Sequence, residues 1–213
     1  MQDRDALLVI DVQNDFCAGG ALAVPEGDSV VPVLNRCIER FKAANLPIFA
    51  TRDWHPEKTI HFTTGGGEWP PHCIQETRGA EFHPDLKLSE DVVIISCGSR
   101  SDEQGYSGFE GRDHQGVNLS NLLGDRGVDR LFVGGLATDY CVKFTVLDAL
   151  KQGFKVVLIA DAIRGVDLKP GDSERAIEEM MRAGAERKTG LPDFSSLPWN
   201  WSQRDSLLAP IRY

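Results

Sequence analysis

No hydrophobic run in this 213-residue chain is long enough to cross a bilayer. Its longest aliphatic stretches resemble "VVLIA" at 156–160, whereas a spanning helix needs about 20 apolar residues. Basic residues are short too: 23 Lys and Arg face 32 Asp and Glu, a net charge of −9. That balance predicts no nucleic-acid partner, because phosphates demand a basic face, and no anionic membrane surface. The five cysteines (17, 37, 73, 97 and 141) are odd in number and scattered, with no C-x-x-C pair. This argues against a disulfide framework and against a zinc ribbon. Arg4 and Asp5 lead straight into a strand-like run, which does not match a signal peptide. The expected compartment is therefore a reducing cytoplasm.

What remains has the balance of a soluble globule, with 41% hydrophobic and 26% charged residues. Short apolar runs at 6–11, 47–51, 92–96, 130–135 and 155–161 read as strands. Between them, helical periodicity predicts helices over 29–44, 118–124, 138–152 and 173–184. Apolar strands alternating with amphipathic helices imply crossover connections and a sheet buried on both faces. The expected fold is a three-layer α/β/α sandwich around a mainly parallel sheet of five or six strands. A single domain is expected over 1–187. A tail over 188–213 is expected to pack on that domain or on a neighbouring subunit. Residues 52–91 form a long connection with little periodicity, and such loops in compact domains are usually functional or disordered.

In open parallel sheets, ligands bind at the carboxyl ends of the strands. Here those ends collect Asp11, then Asp53 and His55, then Cys97, then the segment 136–141. The long loop adds His61 and His72, so that "DWHPEKTIH" and "WPPHC" together offer one carboxylate and three imidazoles. That donor set suits Zn²⁺, Fe²⁺ or Mn²⁺. His83 and His114 lack such company and are expected to be solvated.

Cys141 follows "GLATDY" at the expected start of helix 138–152. With Thr138 as N-cap, its thiolate would sit beside free N–H groups at the positive end of the helix dipole. Such a setting favours a nucleophile and could also stabilise an oxyanion. Asp11 is the expected base. Cys37 falls on a core helix face, and Cys17 and Cys73 fall in loops.

Together, "VIDVQNDFCAGGAL", "DWHPEKTIHF", "WPPHC", "YSGFEG" and "GGLATDYCV" resemble the nicotinamidase (pyrazinamidase) family of isochorismatase-like cysteine hydrolases. The resemblance runs from about residue 5 to 187. It implies hydrolysis of nicotinamide, and of pyrazinamide-like analogues, to the acid and ammonia through a thioester, in NAD salvage. By motif position it implies Asp11 as general base and Cys141 as nucleophile. The N–H groups of Ala137 and Cys141 would form the oxyanion hole, beside a cis peptide between Leu136 and Ala137. Asp53, His55, His61 and His72 match the family's ligands to one divalent metal, with Zn first and Fe or Mn as alternatives. Phe16, Leu22, Trp69 and Tyr106 match the wall of the substrate pocket. The implied partner is small-molecule nicotinamide, with a homo-oligomer left open.

One position departs from the family. Cys97 stands where the resemblance implies a catalytic lysine, in "ISCGSRSDEQGYSGFEG". A neutral thiol supplies neither the charge nor the three donors of an ammonium, so impaired turnover is expected. Arg100 is the nearest loop cation that could replace it. Two other readings stay open. One is a different isochorismatase-like hydrolase acting on a carbamoyl compound or enol ether. The other is a non-catalytic binder of metal and nicotinamide, or a thiol redox protein using Cys97 and Cys141.

Overall fold

The computed structural model describes residues 2–190; residues 191–213, most of the expected tail, lie outside the described residues. The chain builds strands β1 (Asp5–Ile10), β2 (Ile48–Asp53), β3 (Val93–Cys97), β4 (Arg130–Leu136), β5 (Lys155–Arg164) and β6 (Glu186–Lys188). Helices α1 (Val30–Ala43), α2 (Leu119–Asp125), α3 (Lys143–Lys151) and α4 (Asp172–Arg182) connect them. The six strands pair in the order β3-β2-β1-β4-β5-β6, and every pairing is parallel. The expected boundary after Arg187 falls inside β6.

β1 is buried along its whole length, so its sequence shows no polar alternation. Its side chains still alternate between two cores. Leu7 and Val9 join Leu34, Ile38 and Phe41 of α1 on one face of the sheet. Ala6, Leu8 and Ile10 face Leu123 of α2, Val146 of α3 and Met180 of α4 on the other. α1 forms where Leu34, Ile38 and Phe41 recur on one stripe, and it ends as Asn45 turns left-handed at φ 52°.

The strand order reverses direction between β1 and β4, which opens a crevice at their carboxyl ends. At the opposite end of the same two strands, buried Asp5 takes a bidentate pair from Arg130, at 2.8 and 2.7 Å. Among the described residues no helix is long and apolar enough to cross a membrane.

The long connection after β2 is held by side chains bonding to backbone. Gln13 accepts from the Asp53 N–H and donates to the carbonyls of Asp53 and Ala80. Asp15 accepts from the N–H groups of Ala21 and Cys73. A Cβ on Gly79 would lie 2.1 Å from an Asp15 carboxylate oxygen, so only glycine admits this close approach.

Candidate active site

Asp11 lies immediately after β1 in a left-handed backbone (φ 47°), almost wholly buried. The Thr51 hydroxyl of β2 donates to its Oδ1 at 2.5 Å. The Cys141 sulfur lies within 4.8 Å of an Asp11 carboxylate oxygen. Burial, then the nearby Asp53 charge, pushes the Asp11 carboxyl well above the usual carboxylate range, while Thr51 and Cys141 pull it down. Burial and the charges of Asp11 and Asp53 likewise push the Cys141 thiol well up.

Cys141 does not sit in the first turn of a regular helix, as the sequence suggests. Thr138–Val142 forms a widened turn in which Tyr140 leaves helical geometry (φ −125°, ψ −105°), and α3 begins only at Lys143. The capping position is Ala137 rather than Thr138, and no side chain caps it. The Leu136–Ala137 peptide is cis. Asp139 turns away from the turn's N–H groups and accepts from the N–H groups of Val166 and Asp167, at 2.9 and 2.8 Å. Those bonds fasten the segment after β5 against the cleft.

Asp53 ends β2, and its Oδ2 lies 3.6 Å from His55 Nε2 and 3.7 Å from His72 Nε2. The three imidazoles of His55, His61 and His72 place ring nitrogens within 4.8 Å of one another, all buried. Each Nδ1 has its own partner: the Gly98 carbonyl for His55, Gln104 Oε1 for His61 and the Pro70 carbonyl for His72. Those bonds put the proton on Nδ1 and leave Nε2 as a lone-pair donor. Asp53 Oδ1 and His55 Nε2 are buried without any hydrogen-bond partner among the described residues. Orphaned polar atoms of this kind are costly unless something else satisfies them, and a divalent cation fits this donor set.

Burial would raise Asp53, but the adjacent His55 and His72 hold it below the usual carboxylate range. Burial, then the neighbouring His55, pushes His61 down to about 4, so its ring stays neutral and able to ligate. Gly98 serves the cluster twice, since a Cβ there would lie 2.3 Å from His55 Cε1.

The cleft above these groups contains about 370 Å³ of space not filled by atoms, part of it open solvent. Phe16, Leu22, Trp69 and Tyr106 all line it, together with Ala137 and Cys141. Trp69 Nε1–H donates to the Tyr106 hydroxyl at 2.9 Å, which locks the two rings as one wall. Sequence reasoning missed Val24, Val166 and Tyr140, which also line the cleft; Tyr140 packs edge-on against Trp69. The aromatic in "TDYC" was the available signal for Tyr140. Thr51, Gln13 and Gln104 carried none.

Cys97 ends β3, buried, with its thiol directed at the Ser107 carbonyl at 3.7 Å. β2 separates β3 from β1, so Cys97 lies about 9–10 Å across the sheet from the Asp11 strand. Burial and the charges of Asp11 and Asp53 push the Cys97 thiol well above its usual range. Arg100 does not take the lysine's place, because it is exposed and pairs with Asp102 and Glu103. Both β2 and β1 lie between the strands leading to Cys97 and Cys141, which disfavours a bridge needing Cα atoms within about 7 Å.

The other histidines divide. His114 is exposed, as expected. His83 is not solvated: its side chain is only 14% exposed and its Nε2 lies 3.2 Å from Asp28 Oδ1. The loop after β2 folds it back over the 14–28 segment, a tertiary contact that its local sequence does not show.

The Isochorismatase domain model matches residues 5–189. The nicotinamidase of Escherichia coli is 45% identical over 197 residues, covering 84% of this chain and 92% of that protein. The zinc complex of Pyrococcus horikoshii pyrazinamidase superposes with a TM-score of 0.81 at 49% identity, covering 87% of this chain and 99% of that one. A Leishmania relative, PnC1 from L. infantum in complex with nicotinate, gives 0.78 at 35% identity, with 89% and 94% covered. With a Cys–Asp pair at the switch of an all-parallel sheet and matches spanning nearly all described residues, the chain belongs to the nicotinamidase/pyrazinamidase family of isochorismatase-like hydrolases, enzymes that act on amide bonds.

Proposed function

We propose that this chain hydrolyses nicotinamide, and pyrazinamide-like analogues, to the carboxylic acid and ammonia as a cytoplasmic step of NAD salvage. The observation that carries this reading is the close Asp11–Cys141 pair, sulfur and carboxylate oxygen within 4.8 Å, at the floor of an aromatic cleft next to the Asp53, His55, His61 and His72 cluster. A flat pyridine ring suits walls made by Phe16, Trp69 and Tyr106. Asp53 and the three histidines would hold one divalent metal, Zn²⁺ by preference. When bound, that ion supplies a Lewis-acid anchor for a ring nitrogen.

Asp11 accepts the Cys141 proton as the sulfur attacks the amide carbon. The oxyanion forms against the N–H groups of Ala137 and Cys141, both of which border the cleft. Asp11 then hands its proton to the departing nitrogen, and ammonia leaves a thioester on Cys141. In the second half Asp11 takes a proton from water, which attacks the thioester and frees the acid and the thiol. A carboxyl raised by burial suits this work, because its affinity for the proton approaches that of its partners.

The same burial is a handicap for Cys141, whose thiol is raised together with Asp11. The family's lysine would favour the charged forms of both; Cys97 does not. We infer that acylation is slow in this chain for that reason.

Ammonia release from nicotinamide tests the whole reading. Turnover should vanish in Cys141→Ala and rise about 10²–10⁴-fold in Cys97→Lys. Equal rates for the native chain and Cys97→Lys would show that the cation is dispensable here. Undiminished turnover in Cys141→Ala would remove the thioester.

A further inference from the structure

Outside the active site, one more cluster brings metal-ligating side chains together. The Cys17 sulfur, an Asp28 carboxylate oxygen and a His83 ring nitrogen all lie within 4.8 Å of one another. They come from three separate places: the turn after β1, the turn before α1, and the loop that follows the histidine cluster. They meet in a surface groove also lined by Arg78 and Gly79. We propose that Cys17, Asp28 and His83 form a second metal site, taking a borderline-soft divalent cation of the zinc type with water as its fourth ligand.

The ligand types fit that class: one thiolate, one imidazole and one carboxylate. Tetrahedral zinc at ordinary bond lengths sets ligand atoms about 3.3–3.7 Å apart. His83 Nε2 and Asp28 Oδ1 already stand 3.2 Å apart. Asp28 is held in place from its other oxygen, where Oδ2 accepts the Ala18 N–H at 2.9 Å. Oδ1 is thus the oxygen turned to the cluster. Cys17 is buried while Asp28 is half-buried, so a cation has an approach from solvent and a thiol waiting on the inner side.

The costs can be named. Without metal, burial and then Asp28 push the Cys17 thiol up to about 12, so capture releases a proton to water. His83 Nδ1 accepts the Asp85 N–H at 3.2 Å, which places the ring proton on Nε2, facing Asp28. Taking a metal at Nε2 moves that proton to Nδ1 and gives up the long Asp85 bond. The gain is a clip between the 14–28 segment, which carries Phe16, Leu22 and Val24 of the cleft wall, and the chain around His83. This site is independent of the amidase reading.

Cobalt titration of the full chain, stripped with chelator, tests the proposal. Native protein should bind two Co²⁺ per chain, the second with a thiolate-to-cobalt charge-transfer band. Cys17→Ala and His83→Gln should each bind one Co²⁺ and show no such band. Cys141→Ala should keep both the second equivalent and the band, which separates Cys17 from the active-site thiol. Thermal melting accompanies each variant, and His83→Gln, which keeps a polar side chain of similar reach, stands in if Cys17→Ala does not fold. A Co²⁺ stoichiometry and spectrum left unchanged from the native chain by both Cys17→Ala and His83→Gln, or a band lost in Cys141→Ala but kept in Cys17→Ala, overturns the second site.

Discussion

Thr51 donates its hydroxyl to Asp11 Oδ1, and that bond opposes the burial that raises the carboxyl. Asp11 must be unprotonated to accept from Cys141, so activity fades as pH falls through its pKa. Replacing Thr51 by Val keeps the shape and removes the bond, so that pKa should climb further. The expected outcome is an acid limb of kcat/KM displaced to higher pH, with kcat lowered about tenfold, the cost of one hydrogen bond to a charged group. A pH–rate profile unchanged from the native one would leave Thr51 a mere filler. The contrast with its neighbours shows what a sequence can display. Asp11, Cys141 and the three histidines announce themselves because their side chains are chemically rare and stand in fixed patterns. Thr51 and Gln13 are common residues whose role depends on what sits across the sheet, and no local pattern records that. His83 is the same case with the opposite sign, a rare residue whose company arrives from elsewhere in the chain.

Among the elements, the periodicity of 138–152 predicts one continuous helix, yet a widened turn precedes α3. Hydrophobic spacing is nearly the same for both, so the kink at Tyr140 leaves no trace in the pattern. β6 was equally hard to see: three residues, polar and largely exposed, at the edge of the sheet. The four helices and five longer strands were legible to within a few residues because their apolar faces are continuous. Gly98 shows how an element's end sets the chemistry beyond it. Its backbone is left-handed (φ 61°), and the His55 ring fills the space a side chain would need. Gly98→Ala should therefore push His55 aside and weaken the hold of the histidine cluster on a divalent metal, read as zinc retained after loading and dialysis. Full occupancy in that variant would mean that the ring has room to yield.

Across the whole molecule, the reacting groups gather at one end of the sheet and a strong charge pair secures the other. Asp5 and Arg130 join β1 to β4 at the end remote from the switch that holds Asp11 and Cys141. Asp5→Asn should lower stability by about 1.5–3 kcal/mol in denaturant unfolding, the worth of bonds to a charged group. KM and metal content should stay as they are, since nothing near the cleft moves. Loss of metal in that variant would show that the two ends of the sheet are coupled.

The three imidazoles of the candidate metal centre are oriented by unlike partners: two backbone carbonyls, at Gly98 and Pro70, and one side chain, Gln104. A carbonyl belongs to every amino acid, so substitution at either position cannot delete those two anchors. Of the three anchors only Gln104 is a side chain that substitution can remove without crowding a ring, which makes it the adjustable screw of the centre. Gln104→Ala should weaken metal binding about 10–100-fold with the fold intact, measured by competition with a chromophoric chelator. A lineage that needed a looser metal, or a different one, would have its shortest route there.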